Sequence, residues 1–99
     1  MPGHPRHATD IEFDEANESE LAGHRITALE AFEVLVNKPT WAPNKKGRAG
    51  LWLAVGRTDG GRALTIPVSF DESRLVLRPI TGWDSTTGEK NKYLGDDDG

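Results

Sequence analysis

The sequence predicts an α+β domain. A small antiparallel sheet, built from a short N-terminal strand and a three-stranded meander, carries two N-terminal helices and a short C-terminal helix. Three observations lead there. Two helical segments, each opened by a capping residue, precede Lys38. Three strand-like segments, separated by Gly-rich and acidic turns, run from Leu51 to Trp83. A capping box, Thr86 to Glu89, then opens a last helix. The chain of 99 residues is long enough for one domain, expected over residues 10–95.

Residues 1–9 are rich in Pro, Gly, His and Arg without a periodic pattern, and residues 96–99 are Asp and Gly alone. Both read as disordered, a leader and an acidic tail. Ile11-Glu12-Phe13 alternates and suits one brief strand. Asp14 is a good N-cap, followed by Glu15 and Glu18 in the first turn, where the helix dipole favours negative charge. A helix is expected over residues 15–23, with Ala16, Leu21 and Ala22 as its weak apolar side and Gly23 as its C-cap. Thr27 and Glu30 form a capping box for a second helix reaching about Asn37, with Ala28, Leu29, Phe32, Leu35 and Val36 on the buried face. Pro39 ends it.

Residues 38–50, with two prolines, two glycines and several cations, read as an exposed loop. Strands are expected over residues 51–58, 62–70 and 74–83, joined by Asp59-Gly60-Gly61 and Asp71-Glu72-Ser73. Leu64, Ile66, Val68 and Phe70 should share one face. In the last strand Val76, Arg78 and Ile80 should oppose Leu75 and Leu77. Pro67 and Pro79 cannot donate to a ladder, so each belongs at an edge or a bulge. The final helix should run from Thr86 through Tyr93 or Leu94.

Charge is unevenly spread. The net charge is −4, yet residues 38–93 hold ten Lys and Arg against five Asp and Glu. The first 37 residues are strongly acidic. A local basic patch sets the near field that a polyanion meets, so a basic sheet face is expected despite the net charge. With no Cys there is no disulfide framework, and no apolar run approaches a membrane span, so a cytoplasmic protein is expected. The folded part has no metal-ligand spacing and no phosphate-binding glycine loop, and no cofactor is expected.

Several residues carry a resemblance. Ile11-Glu12-Phe13-Asp14, His24, Thr27-x-x-Glu30-Ala31, Gly56-Arg57-Thr58-x-x-Gly61-Arg62-x-Leu64 and Ile80-Thr81-x-Trp83…Glu89-x-x-x-Tyr93 follow one another in an order and spacing that resembles the BrnT family of bacterial type II toxins. The likeness spans about residues 11–94. It implies a RelE-like fold and a metal-independent ribonuclease that inhibits translation by cleaving RNA. The implied partner is a small antitoxin of the ribbon-helix-helix type, assembled with the toxin as a dimer or heterotetramer that touches operator DNA only through the antitoxin. This chain departs from the family pattern at three positions. Asn17 replaces a basic residue, Arg25 a glycine and Trp83 an arginine. A catalytically inactive toxin-fold module that pairs with an antitoxin and modulates operator binding is the alternative.

The candidate catalytic residues are His24, Arg57, Arg78 and Tyr93. Histidine titrates near neutrality and can move a proton to or from a ribose oxygen, although a helix-terminal His24 could simply bond a free carbonyl. Arginine offers a planar fork that fits phosphate. Arg62, Lys45, Lys46, Arg48 and Trp83 are candidates for RNA binding. Cations beside aromatic rings can hold phosphates while bases stack, and a solvated loop or contact with an acidic protein would use the same residues. Tyr93 could stack on a base or pack its helix on the sheet.

Overall fold

The computed structural model describes residues 3–44 and 51–95. Six strands and three helices form an α+β domain. They run β1 (Asp10–Ile11), α1 (Glu15–Gly23), α2 (Ala28–Val36), β2 (Thr40–Pro43), β3 (Leu51–Arg57), β4 (Ala63–Asp71), β5 (Val76–Pro79), β6 (Trp83–Asp84) and α3 (Thr87–Tyr93). The sheet order is β1-β5-β4-β3-β2, with β6 also paired to β4. The sheet is mixed rather than antiparallel, because β1 runs parallel to β5. A chain that crosses from β1 to β5 through two helices and three strands is free to arrive in either direction.

The alternation in β4 is realised in full. Leu64, Ile66, Val68 and Phe70 are buried on one face against Leu21, Ile26, Ala31, Val34 and Leu35. Burying each such side chain stabilises the fold by roughly 1.5–3 kcal/mol, which makes this layer the main source of stability. On the opposite face Thr65 is buried and donates to Glu89 of α3 at 3.1 Å. The core lies between the sheet and the α1–α2 layer, and α3 covers the other side.

The expected third strand is broken in two. Pro67 sits in the central strand opposite Leu53, with its carbonyl accepting from Ile80 N–H at 2.9 Å. That side of the strand is where β5 stops and β6 begins, so the missing proline N–H falls at a break in the ladder. Gly82 lies in the break. A Cβ there would stand 3.1 Å from both Ile26 Cδ1 and Leu21 Cδ2. Pro79 is buried, and its carbonyl accepts from Asn17 Nδ2 at 3.1 Å.

Helix α1 has the expected Asp14 cap but a different end. Its C-cap is His24, and the left-handed residue is Arg25, at φ 61°, not Gly23. Arg25 N–H donates to Ala22 O and Ile26 N–H to Leu21 O, at 2.9 and 3.0 Å, while Ile26 and Leu21 are both buried. This is a Schellman ending with its apolar contact. Asn17, expected on no apolar face, is buried. Its amide N–H groups donate to Glu12 O and Pro79 O, and its Oδ1 accepts from Asp14 N–H.

Helix α2 starts and ends as expected but is rotated. Ala31, Val34 and Leu35 are buried, whereas Leu29, Phe32 and Val36 are 64%, 44% and 50% exposed. The rotation is fixed by the only two polar residues in the helix. Glu30 meets Arg62 at 3.1 Å, and Glu33 accepts from Asp59 N–H at 3.1 Å.

The leader and the expected loop both carry further local structure. Pro5–His7 makes one 3-10 turn with Pro5 buried, and the His4 ring lies 4.8 Å from that of Trp52. Desolvation there, with Arg6 next, holds the His4 imidazole below its usual pKa. Part of the expected loop is strand β2, because Trp41 and Ala42 can pair with Ala54 and Leu53. The tail at residues 96–99 lies outside the described residues.

Two substitutions test these assignments. Asn17→Ala leaves the Glu12 and Pro79 carbonyls without their donor, and chemical denaturation should read a loss of about 2–3 kcal/mol. Arg25→Gly removes the Cβ penalty of the left-handed conformation, and the same measurement should read a gain of about 1 kcal/mol.

Candidate functional site

The face of the sheet that α3 covers holds four of the six expected site residues that lie among the described residues. Register places Arg57 beside Ala63 and Arg78 beside Ser69, on the same face as Thr65. Ala63 and Ser69 are six residues apart along β4, so the two arginine backbones stand roughly 20 Å apart. They occupy opposite ends of the sheet and do not flank one phosphate.

Each expected cation has a local role. Arg78 meets Asp14 at 2.5 Å and Glu12 at 3.6 Å. Its guanidinium, followed by Asn17 N–H, holds the Asp14 carboxyl below its usual pKa. Arg62 is pinned on three sides, by Asp84 at 2.8 Å, Glu30 at 3.1 Å and the Arg25 carbonyl at 2.8 Å. Arg57 donates to the Gly61 carbonyl at 3.0 Å, bracing the β3–β4 turn. Arg74 faces Asp71 at 3.7 Å. Lys45, Lys46 and Arg48 lie outside the described residues.

Trp83 and Tyr93 do share the α3 side. Trp83 Nε1 donates to Glu89 at 3.1 Å, and the same carboxylate accepts from Thr65 Oγ1 and Thr86 N–H. This fixes the indole plane and ties β6, β4 and α3 together. Trp83 borders a shallow cleft with Leu51, Leu53, Pro67, Ile80, Thr81 and Asn44, and these described lining residues carry no charge. Tyr93 ends α3, where its carbonyl accepts from Thr40 Oγ1 at 2.7 Å and Lys92 Nζ lies 5.2 Å from its ring centroid.

His24 is on the other side. Leu21 and Ile26, which flank it in sequence, pack in the Ile66 layer, whereas Thr65 and α3 lie across the sheet. The His24 ring approaches Glu20 at 3.4 Å and bonds no carbonyl. Proton transfer shared between His24 and Tyr93 would have to cross the sheet. Among the described residues no group of three His, Asp or Glu side chains is placed to hold a metal ion, and no helix is long and apolar enough to cross a membrane.

No protein-family model, curated protein or solved structure matches the chain.

A surface that sequence reasoning missed lies on α2. Leu29, Phe32 and Val36 recur at helical spacing and form an exposed apolar stripe. Beside it runs a groove floored by Leu35, Leu77 and Trp41 and walled by Ile11 and Pro39, with Arg6 and Lys38 on its rim. The signal was present in the composition of α2. Seven of its nine residues, ALEAFEVLV, are apolar, more than one buried face uses.

The Arg62 cluster has a pH signature. Thr27 N–H and then Arg62 lower the Glu30 pKa, and Arg62 lowers that of Asp84. Carboxylates with depressed pKa values add stability above their ordinary values, 4.5 and 3.8, and lose it as pH falls through the lower folded values. Thermal melts should therefore show Arg62→Ala less stable by about 1–2 kcal/mol at pH 7, after allowing for solvent screening. The gap between variant and wild type should narrow below pH 4.

Proposed function

We propose that this chain is a toxin-fold binding module without ribonuclease activity, RelE-like in architecture, that pairs with a small antitoxin-type protein. The observation that carries this reading is the pairing of Arg62 and Arg78 with the chain's own carboxylates. A metal-independent nuclease needs cations free to stabilise extra negative charge on the phosphate in the transition state. Here Arg78 lies between Glu12 and Asp14, and Arg62 between Glu30 and Asp84. A phosphate would have to displace Asp14 from Arg78, and Glu30 and Asp84 from Arg62, all held within 3.1 Å. The general acid-base candidates His24 and Tyr93 also lie on opposite sides of the sheet.

The order and spacing of the BrnT-like motifs support the family part of the reading, including a ribbon-helix-helix partner and modulation of its operator. Two of the three departures fit a lost activity. Asn17 is a buried structural amide where the family pattern has a cation, and Trp83 supports Glu89 where that pattern has arginine. The ribonuclease reading keeps one observation in its favour, that Arg57, Trp83 and Tyr93 share a sheet side. In that case the ribose 2′-hydroxyl would be the nucleophile.

Expression of the chain alone in bacteria separates the two. Normal growth with intact mRNA is expected, together with co-purification of the adjacent reading frame's product when the two are co-expressed. Growth arrest with RNA cleavage that Arg78→Ala abolishes would overturn the proposal.

A further inference from the structure

We propose that the exposed stripe of α2 and its adjoining groove dock one amphipathic helix of another protein, with carboxylates flanking that helix's apolar row. The binding-module reading supplies only the source of this partner; the chemistry of the surface stands apart from it. A helix that is apolar nearly all round belongs in an interior. Only one face of α2 is buried in this chain, and its other face presents Leu29, Phe32 and Val36 to solvent. Glu30 is paired with Arg62, and Glu33 accepts one N–H, from Asp59.

The charges on the rim choose the partner's sign. Among the described residues Arg6 and Lys38 are exposed and make no ion pair, in contrast to Arg62, Arg74 and Arg78. Both stand at the edge of the groove. The one rim carboxylate, Asp10, accepts from Ile11 N–H at 2.9 Å. The acids of α1 lie beyond the groove lining, and screening at physiological salt, with a Debye length of about 8 Å, leaves the near cations to dominate.

Shape favours a helix over a strand or a second copy. The stripe from residue 29 to 36 covers about two turns, roughly 10 Å, the footprint of a helix packed alongside. Strand addition has little to add to, because β1 is two residues long and the β2 edge is preceded by Pro39 and ends at Pro43. A two-fold contact between copies would bring Arg6 and Lys38 of each against the same cations of the other, an unfavourable arrangement.

The test uses the full chain, isotopically labelled, titrated with two synthetic helical peptides that share a leucine stripe and differ in flanking Glu or Lys. The Glu peptide should shift resonances of Leu29, Phe32 and Val36, and bind about tenfold more tightly than the Lys peptide. Phe32→Ser with Val36→Ser should weaken it about tenfold or more. The thermal midpoint should stay near wild type, since both positions are exposed. Arg6→Ser with Lys38→Ser should weaken the Glu peptide and spare the Lys peptide. No binding, equal binding of both peptides, shifts away from α2, or a wild-type dimer that Phe32→Ser dissolves would each overturn the proposal. If the adjacent-frame product binds and the Phe32/Val36 double variant leaves that affinity unchanged, this surface is wrong while the binding-module reading stands. If the Glu peptide binds as described and the adjacent-frame product does not, the docking surface stands and that reading fails.

Discussion

Pairing between the acidic first third of the chain and the basic strand block governs how this molecule presents itself. Glu12 and Asp14 take Arg78, and Glu30 joins Asp84 in holding Arg62. Each contact is partly exposed and adds little to stability, because solvent screens it. The hydrophobic layer over β4 holds the fold and brings these groups together. The pairs shape the surface: among the described residues Arg62, Arg74 and Arg78, three of the cations expected on a basic sheet face, meet the chain's own carboxylates.

The same pairing fixes smaller features. Arg62 reaches from the β3–β4 turn to the N-terminal turn of α2 and to β6, so the orientation of α2 depends on it. With Glu30 and Glu33 facing the β3–β4 turn, Ala31, Val34 and Leu35 face the sheet, and Phe32 and Val36 are left outside. The ion pair at the start of the helix and the packing of Ala31, Val34 and Leu35 agree on one rotation, and that rotation leaves the apolar stripe outside.

Local signals were legible in the sequence and long-range ones were not. Asp14, Thr27 and Thr86 cap their helices as their residue types and spacing require, and the alternation from Leu64 to Phe70 gave the buried face of β4. The break between β5 and β6 was hidden, because it depends on Pro67 lying opposite Ile80 across the sheet. Strand β2 was masked by its flanking prolines, and the ordered turn at Pro5–His7 by a composition that usually marks loose chain. For the site, residue type suggested phosphate-binding chemistry, but type does not reveal a neighbour. Arg78 and Asp14 are 64 positions apart, and nothing local announces that they meet.

The most direct measurement is the titration of the Asp14 carboxyl by NMR, in the wild type and in Arg78→Ala, with and without a short single-stranded RNA. The account predicts a depressed Asp14 pKa in the wild type, a rise toward the ordinary aspartate range in Arg78→Ala, and no change when RNA is added. An Asp14 that titrates normally in both proteins, or whose pKa rises when RNA takes Arg78 from it, would contradict the account.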